Sequence, residues 1–244
     1  MNKIDINFHY TEDAGGKDPD IYSLKLREDL LSLYRKELPN GTLFDLQKGQ
    51  DNTYDYLVFN GWRFGSDSIS NTYTHQKNYQ WMIRDLEKTD FYNELIDKYR
   101  AIDYTIGCHT LFPKNNNPNN SKSWSINQER GTNPKICDRM DLTLECIRRF
   151  YNNENSPLYY KFQENVYFFD LFKDKNGKNG FEGYVNFFYL NDLLVNNDYT
   201  KINYFLPFDN FERFPKPQDI NEWKIFCEKQ IEFINARNKR ISNL

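Results

Sequence analysis

Asp138-Arg139-Met140-Asp141-Leu142-Thr143-Leu144-Glu145-Cys146-Ile147-Arg148-Arg149-Phe150-Tyr151 carries the clearest periodic signal in the chain. At about 100° per residue, Met140, Leu144, Ile147 and Tyr151 fall on one stripe, the face of a helix that packs inward. Asp138 reads as its N-cap, with Asp141 three positions on completing a variant of the capping box. Asp138, Asp141, Glu145, Arg148 and Arg149 form a separate polar arc. Its bland reading is a solvated face with a Glu145–Arg149 i,i+4 pair worth roughly 0.3 kcal/mol. Arg139 differs, because the wheel sets it between Cys146 and Phe150 on an apolar flank. A guanidinium there needs an anion. It pairs with an internal carboxylate such as Asp170 or Asp67, or it faces a cleft that takes an anionic ligand.

Upstream of this helix the signals are mostly those of strands. Residues 4–10 alternate apolar and polar and predict an opening strand. The turn-rich Gly15-Gly16-Lys17-Asp18-Pro19-Asp20 leads to Ser23, which caps a helix running to Leu38-Pro39. Short strands are expected at Leu43–Leu46 and Tyr54–Phe59, the latter joined through Asn60-Gly61 to Trp62-Arg63-Phe64 as a hairpin. Helical spacing returns at Tyr79–Leu86 and Tyr92–Tyr99. Residues 102–112 read as a buried central strand closed by Pro113, with Gly107 where a neighbour approaches closely. Residues 114–123 are an Asn-rich loop.

Downstream, helices dominate. The aromatic runs Tyr167–Phe172 and Gly183–Leu194 are taken as buried helices, Tyr204–Phe208 as a short strand, and Ile220, Trp223, Cys227, Ile231 and Ile234 as one face of a long closing helix. Arg237 to Arg240 then sit at the negative pole of that helix. With no internal repeat and no linker, the expected fold is α+β: a single domain over residues 1–244, with a small mixed or antiparallel sheet and a helical C-terminal half.

Composition supports a folded chain. The mean hydropathy of -0.87 comes from Asn, Lys and Asp placed between aromatic clusters, and the 20 Phe and 18 Tyr can fill a core. A net charge of -3 disfavours a nucleic-acid partner, and no apolar run is long enough for a membrane span. The start lacks a signal-peptide core, so a cytoplasmic location is expected. The four cysteines form no C-x-x-C pair, which suits reduced thiols. No structural zinc set is read and no cofactor is assigned, while metal-assisted chemistry by Asp138 and Asp141, which share a helix face at i,i+3, stays open. The phosphate-binding, dinucleotide-binding, zinc-protease and serine-hydrolase signatures are absent.

Candidate chemistry lies between Thr105 and Arg149. Asn127, Gln128, Arg130 and Arg139 are the candidate ligand-binding residues, because amides and guanidinium forks hold carboxylates or phosphates. The alternative for Asn127 to Arg130 is local bonding to loop backbone. Asp138, Asp141, Glu145 and His109 are the candidate catalytic residues. Cys108 and His109 do not make a dyad, because neighbouring strand residues point to opposite faces.

Several segments carry a resemblance: Asn7-Phe8-His9-Tyr10, Gly16-Lys17-Asp18-Pro19-Asp20, Ser66-Asp67-Ser68-Ile69, Tyr104-Thr105-Ile106-Gly107, Ile126-Asn127-Gln128 with Arg130-Gly131, and residues 138–149. Ser156-Pro157-Leu158, residues 168–172, Gly183-Tyr184-Val185, residues 206–209 and residues 231–238 continue it. Together they resemble, over nearly the full length, an uncharacterised bacterial family of unknown function. The chain departs from that pattern at Cys108, where a further glycine is expected, and in the Asn-rich loop. The resemblance implies one domain and no particular reaction.

The leading expectation is an enzyme or ligand-dependent effector acting on a nucleotide or other phosphate-bearing small molecule. The alternative is a protein–protein interaction or regulatory protein, the defence-associated kind included, without catalysis and with a protein partner.

Overall fold

The computed structural model describes residues 3–50, 55–69, 84, 89–114 and 125–244. Among these, the helices are α1 (Pro19–Tyr22), α2 (Leu24–Tyr34), α3 (Asp90–Arg100), α4 (Ile126–Thr132), α5 (Met140–Tyr151), α6 (Tyr159–Gln163), α7 (Val166–Asp170), α8 (Gly180–Phe188) and α9 (Ile220–Ser242). The strands are β1 (Gln47–Gln50), β2 (Asp55–Phe59), β3 (Trp62–Ser68) and β4 (His109–Pro113), in the order β1-β2-β3-β4 and antiparallel throughout. The fold is α+β, with the sheet in the first half and helices closing the second. The predicted helix at residues 79–86 lies outside the described residues.

The hairpin forms where expected, because Asn60 and Gly61 both take positive φ, as a two-residue turn matched to strand twist requires. Met140, Leu144 and Ile147 of the α5 stripe are buried and Tyr151 half-buried, but burial runs all round residues 140–147, taking in Asp141 and Glu145 of the arc expected to be solvated; α9 runs the length the C-terminal pattern implies, capped by Asp219. The buried side chains form one continuous core that draws on both halves of the chain. Gly107 shows why a side chain is not tolerated there. A Cβ would stand 2.5 Å from Asn238 Oδ1 and 2.7 Å from the Ile234 carbonyl, so α9 could not approach.

Several local expectations give way. Residues 4–10 form turns rather than a strand. Phe8 N–H donates to the Asp5 carbonyl, and Tyr10 N–H reaches the Tyr104 carbonyl, so the alternation has no ladder partner among the described residues. The Ser23-capped helix ends at Tyr34 instead of Leu38. Leu43 makes only an isolated bridge to Glu37, and β1 begins at Gln47. The 102–112 strand shrinks to β4, preceded by a 3-10 turn at Ile106–Cys108, and it lies at the sheet edge rather than the centre. Tyr204–Phe208 forms no strand, because Phe205 N–H donates to the Asp141 carboxylate at 2.9 Å and the Tyr204 carbonyl accepts from Lys229 at 2.6 Å.

Helix α5 starts at Met140 with Arg139 as N-cap and no side-chain cap. Asp138 stands one residue outside, at φ 61°, in the left-handed region that few residues with a side chain adopt. Its carboxylate faces Arg130 instead of the helix end. Arg237 is not an exposed dipole partner. Buried on α9, it donates to the carbonyls of Phe188, Gly107 and His109 and to the Tyr34 hydroxyl, tying α8, α2 and the start of β4 together.

Candidate functional site

The β3–β4 register pairs Ser66 with Leu111, Asp67 with Thr110 and Ser68 with His109. Because side chains alternate across a strand, Ser66, Ser68 and His109 share one face of the ladder, and Asp67, Thr110 and Phe112 share the other. Helix α1 packs on β3 and brings Asp20 to the first face, where its Oδ1 lies 3.2 Å from His109 Nδ1. The Ser66 side chain and the Ser68 N–H also bond this carboxylate. On the second face the buried Arg130 of α4 stacks over the Phe112 ring, its guanidinium carbon 4.9 Å from the ring centre.

Arg130 organises the second face. Its Nε donates to Thr143 Oγ1 at 2.9 Å, Nη1 donates to Asp67, and Nη2 lies 3.2 Å from Asp138 Oδ1. Two carboxyl groups therefore reach one guanidinium, each from a different terminal nitrogen. Their side chains keep 23% (Asp67) and 35% (Asp138) of their exposure, and Asp20 keeps 21%, whereas Arg130 and His109 keep none. Acids thus face solvent, backed by buried bases.

The environments drive the acids apart. Asp67 is pushed well above the ordinary carboxylate range, first by burial, then by repulsion from Asp138 and Asp20, against the pull of Arg130. Asp138 is raised by burial and by Asp20, again against Arg130. Burial alone would raise Asp20 most of all, but hydrogen bonds and charge from His109, with those from Ser66 and Ser68, together hold it below the usual value. Asp18 beside it is raised by burial and by the Asp20 charge.

His109 adds an unmet demand. With Nδ1 engaged by Asp20, the second ring nitrogen, Nε2, needs a partner of its own, as donor or acceptor according to the form of the ring. That atom is buried and has no hydrogen-bond partner among the described residues. The Tyr10 ring packs edge-on at 5.5 Å.

The remaining sequence candidates fall elsewhere. Arg139 pairs with neither Asp170 nor Asp67. It grips Asp141 through Nε (3.1 Å) and Nη2, and Nη1 donates to the Pro215 carbonyl at 2.7 Å. Asp141 also receives the Phe205 N–H, so both partners are satisfied inside the core. Glu145 is bonded by Arg148 at 2.8 Å and Arg149 at 2.7 Å. Burial pushes it upward most strongly, yet the two arginines together lower it. Arg149 continues to Asn210 at 2.6 Å. Gln128 is spent on the α4 capping box with Ser125. Asn127 Oδ1 is buried and without a partner among the described residues, and no bond joins it to the cluster.

Of the candidates, the structure thus joins Arg130 to Asp138 on one face of the ladder and sets His109 with Asp20 on the other. Asp20, and Asp67 as partner of Arg130, were missed by sequence reasoning. Their only signal is that Gly16–Asp20 and Ser66–Ile69 are among the segments that carry the family resemblance. No group of three or more potential metal ligands occurs among the described residues, and no helix there is long and apolar enough to cross a membrane.

No curated protein and no solved structure matches the chain. The family model described as a family of unknown function (DUF6994) matches residues 4–241, and the chain belongs to that family.

Proposed function

We propose that the end of the β3–β4 ladder is the active site of an enzyme that performs acid–base chemistry on a nucleotide or other phosphate-bearing small molecule. The carrying observation is that two partly exposed carboxyl groups, Asp67 and Asp138, converge on the buried Arg130 on one face of the ladder, while a third, Asp20, bonds the buried His109 on the other face. Carboxyls whose surroundings push their pKa values in opposite directions are suited to divide the labour of acid and base. Asp67 or Asp138 serves as proton donor, and Asp20, oriented by His109, serves as base.

The phosphate-bearing class of the substrate draws on a neighbouring feature. Asp18 also lines an open cleft of about 600 Å³ with Lys17 and Arg100, and these cations suit an anionic group. Arg130 and Arg139 do not supply that contact, because each of their nitrogens already faces a protein acceptor. The test is a thermal-shift screen against nucleotides and sugar phosphates, repeated with Asp67→Asn and Asp20→Asn. A ligand of the folded state raises the midpoint by mass action. A shift that disappears in both variants supports the reading, and one unchanged in both removes it.

A second reading, the non-catalytic interaction protein, is favoured by one observation. Phe59, Trp62, Phe64, Tyr167, Phe168 and Leu171 line an apolar pocket of about 200 Å³ at the hairpin, and aromatic anchors are common in interfaces. Specific capture of a partner that survives Asp67→Asn and is lost in Trp62→Ala would favour it.

A further inference from the structure

The cleft beside Asp18 holds a second constellation that uses none of Asp20, Asp67 or Asp138. His9 Nε2 lies 3.0 Å from Asp103 Oδ1 and 3.2 Å from the Arg100 carbonyl. A carbonyl oxygen can only accept, so Nε2 carries the proton and donates to both. Nδ1 of the neutral ring is then a bare lone pair. It lies 2.5 Å from Thr11 Oγ1, so the threonine hydroxyl donates to it. Hydroxyl, imidazole and carboxylate are linked in series through the two different ring nitrogens, the arrangement that activates a hydroxyl nucleophile.

Burial is graded in the sense such a relay requires. Asp103 is buried, with a side chain 7% exposed, His9 keeps 23%, and Thr11 is half-buried at the cleft wall. The Tyr104 ring holds the imidazole edge-on at 5.3 Å. A buried carboxylate fixes the ring and stabilises the imidazolium, while the hydroxyl stays within reach of a ligand. Lys17 and Arg100 line the same cleft. A purely local role, Thr11 fastening His9 two residues away, would not require the buried acid on the opposite nitrogen.

We propose that Thr11, His9 and Asp103 form a nucleophilic relay that takes the acyl group of a carboxylic ester or thioester carrying an anionic substituent. Thr11 Oγ bonds to the carbonyl carbon as its proton passes to His9 Nδ1. The bond to the leaving alcohol or thiol breaks, and that group departs with the proton returned from His9. Water then attacks the acyl-threonine, again losing its proton to His9, and releases the acid and the free threonine.

The test uses the purified full chain with mono-p-nitrophenyl succinate, an activated ester carrying a free carboxylate, and a fluorophosphonate probe, read by nitrophenol release and by peptide mass. The relay predicts a burst of about one equivalent and an adduct on Thr11. Thr11→Val and His9→Gln lose the adduct and about 100-fold or more of the acylation rate, and Thr11→Ser restores an adduct at position 11. Asp67→Asn keeps the adduct even where the carboxyl cluster fails, so the two readings fall separately. No adduct on the wild-type protein, an adduct on another residue, or acylation of Thr11→Val at the wild-type rate overturns the relay. Should Thr11→Val fail to fold, the position of the wild-type adduct decides alone.

Discussion

Arg139 and Arg130 are both buried, both paired with aspartate, and joined by one hydroxyl: Thr143 Oγ1 accepts from Arg130 and donates to the Arg139 carbonyl. Around Arg139 every demand is met in the core. Asp141 takes two guanidinium bonds and a backbone N–H, and the last guanidinium nitrogen has a carbonyl. Around Arg130 the balance is left open. Two acids share one cation, a third acid lies close enough to repel them, and His109 Nε2 has no partner among the described residues. A closed network fixes a fold, whereas an open one keeps polar capacity for something that is not part of the chain. The first stands as the rigid backing of the second.

The largest effect should come from the closed side. Arg139→Met leaves Asp141 buried with its charge uncompensated, a cost of about 3–5 kcal/mol, read as a lower midpoint in denaturant unfolding. A loss below about 1 kcal/mol would place Arg139 in the same class as an exposed ion pair and erase the contrast. Gly107→Ala comes next. Its Cβ meets the α9 backbone, and overpacking of this kind costs about 1–3 kcal/mol, in the same unfolding assay.

The open side should respond in the opposite way. Asp67→Asn keeps an acceptor for Arg130 and removes like-charge repulsion, so its stability at neutral pH stays within about 1 kcal/mol of wild type while ligand shifts are lost. The pH dependence sharpens the point. The folded-state pKa of Asp67 is raised, so its stabilising contribution is fully present below the unfolded value near 4 and is lost as pH rises through the folded value. Glu145 is lowered, so its contribution is present above about 4.5 and lost as pH falls. Wild type minus Asp67→Asn should therefore decline with rising pH, and wild type minus Glu145→Gln with falling pH. The Glu145→Gln change costs about 1–3 kcal/mol at neutral pH, because the carboxylate is buried between Arg148 and Arg149, which keep some access to water.

What was legible in the chain was local. The Asn60-Gly61 hairpin, the α5 stripe, the long α9 helix and the close approach at Gly107 each rest on a few neighbouring residues whose geometry is self-contained. The alternation of residues 4–10 misled because a strand needs a partner, and Tyr10 instead meets Tyr104 in a turn. The site was half legible. Arg130 and Asp138 stood out as charged residues beside an apolar run, but Asp20 and Asp67 join them only through the β3–β4 pairing and the docking of α1 on β3. The same limit hid the partner of Arg139. Asp141 is two residues away, on the arc read as solvated, until the Tyr204–Pro215 segment closes over it.

The most direct measurement is a carboxyl-carbon NMR titration of Asp20, Asp67 and Asp138, assigned with the corresponding asparagine variants. The account predicts that Asp67 and Asp138 titrate above the ordinary carboxylate range and Asp20 below it. Three acids titrating together near their ordinary values would contradict it, and the cluster around Arg130 would then be a solvated surface ion-pair group.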